Sequence, residues 1–116
     1  MATIKNDSFT YTGDIIKDSI DGNGKIVWAD GSVYEGSFVD GKYHGKGRLK
    51  LANGVDYEGD FAEGFYHGKG TMLYGTIGLV LEGDFANGLP HGQLKKTRQD
   101  GEVTIAQFVN GEEQVD

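Results

Sequence analysis

The chain has 116 residues, enough for one domain, with 20 glycines, one proline and no cysteine. Its 18 acidic and 11 basic side chains give a formal net charge of -7, which disfavours partners bound mainly by Lys and Arg, nucleic acid first among them. The lack of cysteine excludes disulfides and thiolate chemistry. No apolar run approaches the ~18 residues a membrane helix needs, and no charged-then-apolar leader is present, so the expectation for the chain as given is a cytoplasmic location.

Residues 1–10 read as a lead-in or a first strand. Tyr11-Thr12-Gly13-Asp14-Ile15 then opens a phrase that returns as Tyr34-Glu35-Gly36-Ser37-Phe38 and, 23 residues on, as Tyr57-Glu58-Gly59-Asp60-Phe61. Leu81-Glu82-Gly83-Asp84-Phe85 follows after a step of 24, the extra residue lying in Gly75-Thr76-Ile77-Gly78. A second phrase keeps phase with the first: Tyr43-His44-Gly45-Lys46-Gly47, Tyr66-His67-Gly68-Lys69-Gly70 and the worn Pro90-His91-Gly92-Gln93-Leu94. A fixed period of this length marks a repeat array, with units starting near 11, 34, 57 and 81 and a partial unit near 104, covering residues 11–116.

Within each unit apolar residues and glycines alternate, as in Tyr57-x-Gly59-x-Phe61 and Gly47-x-Leu49-x-Leu51, the period of a strand with one covered face. Each unit therefore predicts a β-hairpin, with Asp30-Gly31 and Asn53-Gly54 as turns between hairpins. A two-residue loop at Asn53-Gly54 would set Lys50 opposite Tyr57 and mix charge with the apolar face. A three-residue loop, Ala52-Asn53-Gly54, sets Leu49 opposite Tyr57, Gly47 opposite Gly59, Arg48 opposite Glu58 and Lys46 opposite Asp60. The same rule pairs Ile26 with Tyr34 and Lys25 with Glu35, and the loop Gly75 to Gly78 sets Met72 opposite Leu81 and Lys69 opposite Asp84.

The expectation is an all-β fold: an elongated, single-layer, twisted antiparallel sheet of tandem hairpins, about nine strands by this pattern. One face carries paired opposite charges. The other carries Trp28, Tyr34, Phe38, Tyr57, Phe61, Tyr74 and Phe85, the candidate binding residues, among Ile26, Leu49, Leu51, Met72 and Leu81. Facing glycines between them leave room for rings to lie over the backbone. In the fourth unit Lys96 and Arg98 take the places of Leu49 and Leu51, the polar ending expected of a terminal repeat.

The unit Tyr-Glu-Gly-x-Phe-x-x-Gly-x-x-His-Gly-x-Gly, followed by an apolar pair and an Asn-Gly or Asp-Gly turn, resembles the MORN (membrane occupation and recognition nexus) repeat. The match is close over residues 34–70 and fades after Gly92. The resemblance implies an array of β-hairpins with an aromatic groove that acts as a scaffold or binding module, with some members tied to membrane lipids or partner proteins and others serving as accessory parts of enzymes.

Three apparent chemical signals have plainer readings. His44, His67 and His91 recur in phase, but equivalent positions in adjacent hairpins lie about 9 to 10 Å apart, too far for shared ligation at about 2 Å from one zinc ion. They read as rings fixing glycine-rich turns. Ser19 to Asp30 resembles a calcium loop only in its later half, and it falls in phase with the repeat. No nucleophile elbow, phosphate loop or metalloprotease helix occurs, and Glu35, Glu58 and Glu82 belong to the charged face. The expectation is a non-enzyme with no cofactor and no metal. Its function would be that of a scaffold or protein-interaction module with a protein or peptide partner. The alternatives are an anionic-lipid surface module through Lys42, Lys46, Arg48 and Lys50, which the net charge disfavours, and an accessory segment of a larger protein. Edge strands or the aromatic face would also permit a homodimer.

Overall fold

The computed structural model describes residues 2–115 and contains no helix among them. Eleven strands follow one another in a single antiparallel sheet, each pairing with its neighbours in sequence. They are β1 (Ala2–Lys5), β2 (Phe9–Ile16), β3 (Ser19–Trp28), β4 (Val33–Val39), β5 (Lys42–Lys50), β6 (Val55–Ala62), β7 (Phe65–Tyr74), β8 (Leu79–Ala86), β9 (Leu89–Thr97), β10 (Val103–Val109) and β11 (Glu112–Gln114). The sheet is long and narrow, 51 × 23 × 18 Å. The strands beyond the nine anticipated include the short pieces at the two ends, β1 and β11. Neither carries a strong alternating pattern of its own, and each is held by pairing with the array.

The registers follow from loop length. Leu51 pairs with Val55 through a 2.7 Å bond from its N–H, which leaves Ala52-Asn53-Gly54 as a three-residue loop. Gly54 closes it at φ 98°, a conformation glycine adopts without strain. Leu49 then faces Tyr57, Gly47 faces Gly59, Arg48 faces Glu58 and Lys46 faces Asp60. Ile26 likewise faces Tyr34, and Met72 faces Leu81 across the four-residue loop.

Inside each repeat the hairpin closes by a different device. Asp40-Gly41 and Asn87-Gly88 have both residues at positive φ, the signature of the tight type I′ turn that suits the twist of paired strands. Just beyond, the register jumps. Gly59 faces Gly70, yet Phe61 faces Tyr66, so His67, Gly68 and Lys69 bulge opposite the single residue Asp60. The bulge repeats between Gly36 and Phe38 and between Gly83 and Phe85, which is why a His-Gly-x pattern stands at that phase.

A one-layer sheet must bury its apolar face with its own side chains. Here tyrosine rings cover the facing glycines: a Cβ added to Gly24, Gly47 or Gly70 would land inside the ring of Tyr11, Tyr34 or Tyr57. Each of those hydroxyls donates to the bulge carbonyl three residues on, Tyr11 to Asp14 at 2.7 Å, Tyr34 to Ser37 at 2.8 Å and Tyr57 to Asp60 at 2.9 Å. Phenylalanines then bridge repeats edge-on, Tyr11 to Phe38 at 5.4 Å, Tyr34 to Phe61 at 5.1 Å and Tyr57 to Phe85 at 5.1 Å between ring centroids. Such pairs contribute about 0.5–1.5 kcal/mol each beyond the area they bury.

A candidate binding groove on the apolar face

Of the seven residues expected to line a groove, the structure divides five from two. Tyr34, Phe38, Tyr57, Phe61 and Phe85 are buried and pack on one another as the core of the array. Trp28 and Tyr74 are half-buried and pack against that core from outside. The rings that a visiting molecule would meet therefore include two that the sequence reading passed over. Tyr43 stacks flat on Tyr34 at 3.9 Å, and Tyr66 stacks on Tyr57 at 4.2 Å, both partly exposed. Their position was available in the sequence. Counting back by twos from Leu49 reaches Tyr43, and from Met72 reaches Tyr66, because a bulge of two extra residues leaves face parity unchanged.

The Trp28 indole N–H donates to the Tyr43 hydroxyl at 2.9 Å, fixing both rims at the N-terminal end, and Phe9 meets Trp28 edge-on at 5.4 Å. Burial pushes the phenols of Tyr43, Tyr66 and Tyr74 above their ordinary value, so near neutral pH all three are uncharged and able to donate. From Leu51 onward the face opens into a groove of about 460 Å³, within the usual range for ligand sites. Its wall is formed by Leu51, Val55, Tyr66, Met72, Tyr74 and Leu81, with Lys96 and Glu113 at the far end.

The opposite face pairs part of its charge, while Glu35, Glu58 and Glu82 line an open hollow of about 640 Å³ there with no ion pair among the described residues. Lys46 meets Asp60 at 2.5 Å and Lys69 meets Asp84 at 2.7 Å, as their facing positions require. Arg48 departs from its register partner Glu58. Its guanidinium reaches diagonally to Asp56 in two bonds of 3.1 and 2.8 Å, since the fork geometry rewards a bidentate carboxylate over the nearest one. Lys42 pairs with Glu63 at 3.4 Å. Lys42, Lys46 and Arg48, the heart of the basic cluster, thus all have acidic neighbours.

The phased histidines behave unequally. His91 Nδ1 accepts the Asn110 N–H at 3.3 Å, tying one repeat's bulge to the next repeat's turn. His44 Nδ1 is buried without a partner. Among the described residues no group of three or more His, Cys, Asp or Glu is placed to hold a metal ion, and Ser19 to Trp28 is strand β3. Among the described residues no helix is long and apolar enough to cross a membrane.

A family model for the MORN repeat matches residues 11–33, 34–55, 57–76 and 82–103. No curated protein matches the chain.

Proposed function

The chain belongs to the MORN repeat family, and we propose that it is a non-catalytic protein-interaction module that receives its partner along the groove of the apolar face. MORN repeats are generally interaction or membrane-associated modules on a non-catalytic all-β fold. The observation that carries the reading is the contrast between the two faces. The polar face ties Lys46, Arg48 and Lys69 into ion pairs across its strands, whereas the apolar face leaves the rings of Trp28, Tyr43, Tyr66 and Tyr74 half-covered. Aromatic side chains of this kind, held rigid and partly dry, are the usual anchors of protein interfaces. Tyr34 and Tyr57 support them from beneath.

Anionic lipid is the weaker reading. Three cations of the basic cluster already face carboxylates, and displacing them would leave those carboxylates against a negative surface.

The test replaces Trp28 and Tyr74 together by Ser and compares partner capture by the immobilised variant with capture by the unaltered chain. Anchors of this type cost about 2 kcal/mol each when truncated, so capture should fall at least thirtyfold. Lys69→Gln on the polar face should leave it within a factor of two or so, as expected of an exposed charge on the face away from the groove. Undiminished capture by the folded double variant would refute the proposal. In flotation with anionic vesicles the protein is expected to stay in the soluble fraction.

A further inference from the structure

We propose that the C-terminal end of the groove is a binding site for an anionic amphipath, a fatty-acid-like molecule whose carboxylate pairs with Lys96 and whose aliphatic chain lies along Met72 and Leu81. This goes beyond the reading of the array as a protein-interaction module and does not depend on it.

Lys96 stands in a row that is apolar in the inner repeats. It faces Leu81 on one side and Thr104 on the other, where corresponding positions hold Leu49 and Met72. Only 14% of its side chain is exposed, so its charge needs a partner. That partner is the Glu113 carboxylate at 2.6 Å. A carboxylate on Lys96 is therefore already part of the structure, and the group supplying it sits on the weakest element. Strand β11 has three residues, all exposed, and pairs with β10 alone. An incoming carboxylate can replace Glu113 without leaving Lys96 uncompensated.

The rest of the site selects the tail. Leu51, Val55, Met72, Leu81 and Phe108 form an apolar wall that ends at Lys96. Met72, Leu81 and Phe108 offer no hydrogen-bonding side-chain group, so this end of the groove suits an alkyl chain better than a peptide backbone. Past Lys96 the groove meets a hollow of about 430 Å³ lined by Ile77, Leu79, Arg98, Gln99 and Asp100, which gives the head group a route to solvent. Lys96 lines both hollows, so a single head group there meets the tail of a single chain at their junction.

The probe is dodecanoate, titrated below its micelle-forming concentration into the full chain by calorimetry, with the methyl resonance of Met72 as a second readout. Saturable binding is expected, with a shift at Met72, and dodecan-1-ol and dodecylammonium should bind roughly tenfold more weakly or worse. Lys96→Met restores the residue type of the inner repeats, so the fold should persist while dodecanoate affinity drops roughly tenfold or more. Glu113→Gln removes the internal competitor and should tighten dodecanoate binding several-fold. The proposal is overturned if no saturable binding occurs, if the alcohol or the amine binds as tightly as the carboxylate, or if neither substitution changes dodecanoate affinity. Loss of partner capture in the Trp28 and Tyr74 variant would leave it standing.

Discussion

Gly70 and Tyr57 set the terms at the scale of single residues, because the ring of one occupies the space a side chain on the other would need. The fourth unit shows the same constraint solved differently. Leu81 stands where Tyr57 stands, and Leu94, buried and facing Gly83, stands where Gly70 stands. An isobutyl group from the second strand fills what a phenol fills elsewhere. The glycine pairs and their overlying rings are legible in the sequence, since both recur at fixed spacing. The exchange of Tyr plus Gly for Leu plus Leu is not, because it becomes visible only once the strands are aligned. It yields a test: Gly70→Leu alone should destabilise the protein by about 1–3 kcal/mol through overpacking, and adding Tyr57→Leu should recover part of that loss. Denaturant unfolding of both variants checks it, and strict additivity would contradict it.

The same tyrosine predicts an alkaline limit. Burial pushes the Tyr57 phenol up to about 12 from an ordinary value of 10.0, with the Asp60 carboxylate adding to the rise. The folded state thus holds this proton more tightly than the unfolded chain. Its contribution to stability is complete below pH 10 and disappears as pH rises through 12. Followed by the tyrosinate absorption band and by circular dichroism, ionisation of the buried rings and loss of the sheet should coincide. A fully developed tyrosinate band near pH 10.5 with the sheet intact would contradict this.

Hairpins are joined by a stitch that no strand pattern reveals. The glycine N–H of each inner turn bonds the preceding repeat: Gly41 to the Ile20 carbonyl, Gly64 to Tyr43, Gly88 to Tyr66 and Gly111 to Pro90, at 2.9 to 3.0 Å. At the bulge, the Lys46 ammonium and the Lys69 N–H hold the Asp60 carboxyl below its ordinary range. A depressed carboxylate adds stability above its unfolded value, and that contribution is lost as pH falls through the folded one. Unfolding free energy should therefore stay level from neutral pH down to about 4 and drop below it, and Lys46→Met should make the drop shallower. An identical acid profile for the variant would remove Asp60 from the account. Registers were legible at this scale because a count of loop residues fixes which residues face. The diagonal Arg48 to Asp56 contact was not, because reach and fork geometry decide it after the register is set. Tyr43 and Tyr66 escaped because the bulge made a strand look like a turn.

Over the whole molecule, the array solves the problem of a sheet without a second layer. Rings reach across two strand spacings to cover one another, and terminal units trade apolar for charged residues, Lys96 with Glu113 on the apolar face and Arg98 with Glu102 across the loop between β9 and β10. The repeat period made the architecture plain, since a unit too small to bury its own face must stack. The candidate recognition surface was less legible. The sequence identifies which residues share a face, but the burial of Tyr34, Phe38, Tyr57, Phe61 and Phe85 beneath Tyr43 and Tyr66 depends on ring stacking.

The central claim is that partners meet the apolar face and not the charged one. It is tested most directly by placing a photo-crosslinking amino acid at Tyr74, on the groove, or at Thr71, on the polar face, and irradiating each protein in extract from its native host. The account predicts discrete adducts from position 74 and none above background from position 71. Adducts from position 71 alone would place recognition on the charged face and contradict the account.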